Sequence, residues 1–211
     1  MIQNNRENII ERKTRNIMLK IPAKEIAFDF DGVVADTFRL FVEIARKDYH
    51  VSVEYEDITD YDFLKVIKME LDDAMQIIDT ITYLPHEIDL LPNLGAMDVL
   101  SRLARISPVL LVTARPVAEP LERWFKRHAP ELPAGHIRII ATGTNTAKLE
   151  ILQEEGVRYF IEDRVDTCHL LAPEGITPII YDQPWNRKDH SYLTVKNWDD
   201  ISSLINWNGL E

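Results

Sequence analysis

The chain has 211 residues, of which 45% are hydrophobic and 28% charged, and its formal net charge is −11. That length holds one sizeable core plus a small appended unit. The negative balance and the lack of any basic run exclude a nucleic-acid polymer as an expected partner, because phosphate backbones are gripped by clustered Lys and Arg.

In chain order, the opening MIQNNRENIIERKTRNIMLK is polar and lacks an apolar h-region, so residues 1–23 read as an N-terminal arm rather than a secretory signal. No apolar run approaches the ~20 residues of a membrane span, so no membrane partner is expected. The single cysteine, Cys168, excludes an intramolecular disulfide, fits a cytoplasmic setting and reads as packing. Ile26 to Phe30 reads as a buried strand, with Asp29 and Asp31 at its end, then Gly32 and a third acid, Asp36. Thr37 to Lys47 predicts a helix with Phe38, Phe41, Val42 and Ala45 on one face and Asp36 at the N-cap. From Val51 to Leu90 strand alternation disappears. Helical patterns recur around Phe63–Met69 and Leu71–Ile81, which predicts a small helical insertion.

Beyond Gly95 a β/α rhythm sets in. Helices are predicted over Ala96–Ile106, Pro116–His128, Thr144–Glu155, Asp166–Leu171 and Trp198–Trp207. Strands are predicted over Pro108–Val112, His136–Ala141, Val157–Ile161 and Ile176–Tyr181. This alternation predicts an α/β fold with a doubly wound parallel sheet.

Chemistry collects where the strands end. Asp29 and Asp31 close the first strand, Thr113 follows the second, and Glu162 and Asp163 close the fourth. In a parallel sheet these ends share one edge, and Lys148 is near enough to reach it. Clustered carboxylates at a buried strand end require a neutralising cation. A divalent ion held by Asp29, Asp31 and Asp163, with Glu162 as a further ligand or an acid behind it, answers that need. With such an ion and Lys148 offsetting its charge, Asp29 is placed to attack a phosphomonoester, and Asp31 to serve as acid and then base. Thr113, the Ala114 amide and Lys148 would hold phosphate oxygens. Arg115 would contact phosphate or substrate, or pair with a nearby acid. Asp166 reads as a surface acid. His128, His136 and His169 lack metal-ligand spacing. Trp185, in the late loop, reads as a substrate wall or a core plug.

These residues stand in four stretches: DFDGVVAD, LVTAR (Leu111 to Arg115), Lys148, and IEDR (Ile161 to Arg164). In that order they resemble the four motifs of the haloacid-dehalogenase-like (HAD) phosphatase superfamily. The resemblance implies a Rossmann-like core, a Mg²⁺ cofactor, Asp29 as nucleophile, Asp31 as acid/base, and a cap inserted after the first motif. The cap would be residues 37–90 and the core residues 24–36 and 91–211. DGVVAD, LLPNLGAMDVLSRLA, IEDR and YDQPWNR further resemble the 5′(3′)-deoxyribonucleotidases of the cytosolic type C family. That family often stacks an aromatic on the base just after the first motif. Here Thr37 stands in that place, and Phe38, Tyr61, Phe63 or Tyr83 would have to substitute.

The expected function is a Mg²⁺-dependent phosphomonoesterase acting on a small phosphorylated metabolite, with a deoxynucleoside monophosphate as the candidate. The alternatives are a receiver-like phosphoaspartate module and a catalytically idle binding protein on the same fold. A homo-oligomer is left open.

Overall fold

Six short strands, almost wholly apolar, run parallel and deliver their polar ends to one edge. The computed structural model describes residues 19–132, 135–188 and 190–208; residues 1–18, most of the predicted arm, lie outside them. In chain order the elements are β1 (Ile21–Pro22), β2 (Ile26–Phe28), α1 (Thr37–Asp48), α2 (Leu71–Tyr83), α3 (Ala96–Ala104), β3 (Val109–Thr113), α4 (Glu119–His128) and β4 (Ile137–Ala141). They continue with α5 (Lys148–Glu154), β5 (Tyr159–Glu162), α6 (Val165–Leu171), β6 (Thr177–Tyr181), β7 (Leu193–Val195), α7 (Trp198–Leu204) and β8 (Ile205–Asn206).

The sheet order is β4-β3-β2-β5-β6-β7, which is the doubly wound order. The chain builds outward from β2 through β3 to β4, then returns to the other side of β2 as β5. The crevice between β2 and β5 is therefore the topological switch point, where this architecture places ligands. Strand pleating sends alternate residues to opposite faces. Phe28, Leu111, Ile161 and Ile179 join one apolar cluster. Ala27, Leu110, Val112 and Phe160 join the other, with Leu152 of α5 and Leu171 of α6. Both faces are thus covered, as a parallel sheet requires.

Several predicted elements change length for local reasons. The first strand stops at Phe28, because the chain turns: Val34 and Ala35 both donate to the carbonyl of Phe30. Asp36 occupies the N-cap position of α1 but does not cap it; its carboxylate is drawn to Arg39 at 2.7 Å. The helix expected at Phe63–Met69 is a single 3-10 turn, Phe63–Lys65, after which the Val66 and Ile67 amides both bond to the Phe63 carbonyl and the Met69 amide to that of Ile67. α5 starts at Lys148 rather than Thr144, because Thr144 and Thr146 bond to each other and Thr144 to the Ala147 amide, a local alternative to helix. The last helix ends at Leu204, and the chain then pairs as β8 with β1. β1 lies inside the stretch read as an arm, with Ile21 fully buried. The pairs β1–β8 and β6–β7 join short segments with no sequence alternation to announce them.

Trp198 ties the first turn to the core. It is fully buried, stacks on Phe28 at 5.4 Å and donates from Nε1 to the Val33 carbonyl at 3.1 Å. Trp198→Ala removes that contact surface and one of the two side-chain donors to the Val33 carbonyl, which keeps Asn93 Nδ2 at 2.7 Å, so a loss of about 3–5 kcal/mol, mostly from the cavity, is expected in urea denaturation.

Candidate active site

The register of β2 on β5 sets the site. Phe28 pairs with Ile161, and the Asp29 amide donates to the Ile161 carbonyl at 2.9 Å, so Asp29 comes to rest beside Glu162. From α5, Lys148 reaches in between them. It is fully buried, with Nζ 3.0 Å from Asp29 Oδ2 and 2.9 Å from Glu162 Oε2. Glu162 Oε1 accepts the backbone N–H groups of Asp163 and Arg164, both at 3.1 Å. Oxygens of Asp29, Glu162 and Asp163 all lie within 4.8 Å of one another, and all three residues are buried.

The charges here do not balance. Three buried carboxylates face one ammonium, an excess of two negative charges. Burial raises the Asp29 carboxyl to about 8, even though Lys148 pulls it down. Asp163 is pushed well above the ordinary carboxylate range by burial, then by Glu162 and Asp29. For Lys148 burial acts to lower its pKa, but Asp29 and Glu162 outweigh it and the ammonium is held more firmly than usual. Burial likewise opposes ionisation of Glu162, yet Lys148 and the bonds from the Asp163–Arg164 turn win and keep it ionised. The strain therefore falls on Asp29 and Asp163.

A divalent cation fits this set. It would supply the two missing charges, and the donors are hard carboxylate oxygens suited to Mg²⁺. Asp163 Oδ1 is buried with no hydrogen-bond partner among the described residues, which fits a metal-ligand atom. Asp163 could hold it through Oδ1, and Asp29 beside it, whose Oδ1 also accepts the Phe30 amide at 2.8 Å while Oδ2 pairs with Lys148. Glu162 is largely spent on Lys148 and the turn amides, so it would stand behind them.

The expectation that the Asp31 carboxylate joins the metal set is revised. Asp31 accepts the Thr37 hydroxyl at 2.7 Å on Oδ1 and the Arg115 guanidinium at 2.7 and 3.0 Å. Those bonds turn it away from the three acids. Burial works against its ionisation, but Arg115 and then Thr37 overcome this and hold it below the usual range. Arg115 itself is engaged by Asp31 and by backbone carbonyls, which tells against the phosphate contact expected of it. Thr113 is buried, and its hydroxyl accepts the Arg115 amide at 3.2 Å.

Asp31 fronts a cavity of about 330 Å³. Phe38, Phe41, Tyr61 and Phe63 wall one side, and Ala114 and Pro116 stand near Asp31. Of the aromatics weighed from sequence, Phe38, Tyr61 and Phe63 line it; Tyr83 is exposed and does not. Three larger hollows, near 770, 800 and 430 Å³, have none of the site acids in their walls.

The loop after β6 supports the acids. Trp185 Nε1 donates to Asp163 Oδ2 at 3.0 Å while its ring packs on Phe38 at 4.3 Å. Asn186 donates to the Asp163 carbonyl and Gln183 to the Gly32 carbonyl. Gly32 has φ +73°, and a Cβ there would lie 2.4 Å from Asp163 Oδ2. Sequence reasoning missed Gln183 and Asn186. Their signal was available: amide side chains beside a tryptophan in a loop with no glycine, which suggests bonds to buried backbone.

The family model described as 5′ nucleotidase, deoxy (Pyrimidine), cytosolic type C protein matches residues 23–208. The chain belongs to this family. Its membership makes it a nucleotidase-class phosphatase and sets aside the signalling and idle-binding readings. Among relatives, this type C chain is 21% identical over 182 residues to a nucleotidase of Clostridium acetobutylicum, covering 85% of this chain and 92% of that protein. It is 24% identical to a 5′(3′)-deoxyribonucleotidase of Bacillus subtilis, covering 86% and 98%. A haloacid dehalogenase-like hydrolase structure from Streptococcus pneumoniae superposes with a TM-score of 0.56 at 15% identity, covering 84% of this chain and 96% of that one, and so shares its fold. Among the described residues no helix is long and apolar enough to cross a membrane.

Two substitutions test the construction. Lys148→Ala leaves buried carboxylates without their cation, and urea denaturation in metal-free buffer should show a loss of about 3–5 kcal/mol. Gly32→Ala forces a side chain into a left-handed backbone against Asp163. It should lose about 1–3 kcal/mol in the same assay.

Proposed function

We propose that this type C nucleotidase hydrolyses a nucleoside monophosphate, with a deoxynucleoside monophosphate as the preferred class, through phosphorylation of Asp29. The observation that carries the reading is the division between two aspartates two residues apart. Asp29 stands with Lys148 among the buried acids, while Asp31 is turned onto the wall of the aromatic cavity.

Asp29 and Asp163 would hold Mg²⁺, which when bound offsets negative charge at the site and on the substrate phosphate. An Asp29 oxygen attacks phosphorus, and the ester P–O bond breaks. The departing oxygen takes a proton from Asp31. Asp31 is ionised in the free protein; a phosphate dianion arriving beside it favours its protonation through like-charge repulsion. Water then attacks phosphorus, the bond to Asp29 breaks, and Asp31 receives the water's proton. Lys148, 3.0 Å from Asp29, offsets part of the charge on that carboxylate as it attacks and again as it is released. Thr113 and the Ala114 amide, at the end of β3, would bind non-bridging oxygens. Phe38, Tyr61 and Phe63 suit a flat base through face and edge contacts, standing in for an aromatic where Thr37 occurs.

The test is phosphate release from deoxy- and ribonucleoside monophosphates, sugar phosphates and p-nitrophenyl phosphate, with Mg²⁺ and with EDTA. Release should be strongest from the deoxynucleotides and vanish with EDTA. Asp29→Asn should lower kcat by at least about 10³-fold while leaving the fold intact by circular dichroism. Normal turnover by that variant would overturn the mechanism. Equal release from sugar phosphates would overturn the substrate class.

A further inference from the structure

Arg115 stands at the junction of the two halves of the site. It is 6% exposed, and its backbone is pinned on both sides. Its amide donates to Thr113 Oγ1 at 3.2 Å, and its carbonyl accepts the Gly143 amide at 3.1 Å. The guanidinium then divides. Nε and Nη2 form a two-point pair with Asp31 at 3.0 and 2.7 Å. Nη1 donates to the carbonyls of Ile81 and Thr82, each at 2.9 Å. The Phe30 ring lies 5.0 Å from the guanidinium carbon.

A guanidinium has five N–H groups, and these contacts use four of them. One is left, too few for the forked grip by which arginine usually holds a phosphate. The two acceptor sets differ in kind. Asp31 belongs to the turn after β2. Ile81 and Thr82 belong to the last turn of α2, where helix carbonyls lack intrahelical partners and carry partial negative charge. One rigid planar group thus closes the end of the inserted helix onto the core and orients the carboxylate that faces the cavity. Lysine cannot reproduce this, since its ammonium lacks the planar fork.

We propose that Arg115 is a positioning residue that couples the seating of α2 to the orientation of Asp31, and that it is not a phosphate ligand. This rests on the reading of Asp31 as the acid that protonates the leaving group. Proton delivery matters for a nucleoside alkoxide, a poor leaving group, and hardly matters for p-nitrophenolate. A residue that orients the acid therefore leaves a leaving-group signature in kcat/KM, which covers the steps through departure of the alcohol.

The experiment compares the full-length wild type, Arg115→Ala and Arg115→Lys in Mg²⁺ buffer, with dUMP and p-nitrophenyl phosphate as substrates and inorganic phosphate as inhibitor. Arg115→Ala should lower kcat/KM for dUMP by about 10²-fold and for p-nitrophenyl phosphate by less than about fivefold. Inhibition by inorganic phosphate should be unchanged. Hydrogen exchange over residues 78–84 should be faster than in wild type. Should Arg115→Ala fail to fold, Arg115→Lys decides by the same ratio of substrates, with a smaller but same-signed discrimination. Equal losses on both substrates together with phosphate inhibition weakened about tenfold, the scale of a lost charge-assisted bond, would make Arg115 a phosphate ligand and overturn the proposal. Unaltered exchange at 78–84 would overturn the coupling to α2. A wild type that hydrolyses neither substrate sinks the phosphatase mechanism itself, and this inference with it.

Discussion

The structure depends on one unbalanced group of charges. Asp29, Glu162 and Asp163 are buried at the ends of β2 and β5, and Lys148 is the buried cation set between Asp29 and Glu162. Carboxylates in such a place are costly unless opposed, and breaking a buried pair costs more than the pair itself contributes. Lys148 secures Glu162 and half-secures Asp29. What remains, above all Asp163 Oδ1 with no partner among the described residues, is an excess of negative charge that a cation would offset.

Holding acids in an under-neutralised cluster requires rigid surroundings, and much of the nearby chain serves that need. Asp29 continues the β2–β5 ladder. Glu162 is clasped by the amides that follow it. Asp163 is held at its side chain by Trp185 and at its carbonyl by Asn186. Gly32 lies so near Asp163 that no larger residue fits. The late loop also meets the inserted segment, since Tyr55 donates to Gln183 at 2.5 Å and Trp185 rests on Phe38. The supports of the acids and the aromatic wall of the cavity are in part the same residues.

Asp31 is turned away from its neighbour Asp29 by its own hydrogen bonds. Two carboxylates two residues apart would serve the same ion if both faced it. Thr37 and Arg115 draw Asp31 onto the cavity side. That separation comes from side chains on α1 and after β3, elements remote from each other in sequence.

Local physics was legible in the chain. The apolar runs, the β/α rhythm from Gly95 and the acids at strand ends specify a parallel sheet with one polar edge, because buried strands show as short apolar runs and intervening helices make crossovers that set neighbouring strands parallel. The same reasoning brought Asp29, Lys148, Glu162 and Asp163 to one place. Three-dimensional contacts decided the rest. That Asp31 turns from the acids, that Arg115 spends itself on Asp31 and α2, and that Tyr83 stays outside the cavity depend on contacts between distant segments. The pairing of Ile21–Pro22 with Ile205–Asn206 spans nearly the whole described chain. Lys148 is the clearest case. Taken alone it reads as a solvated helix residue, and only the meeting of β2, β5 and α5 buries it, because a side chain's environment is made by neighbours that its own segment does not encode.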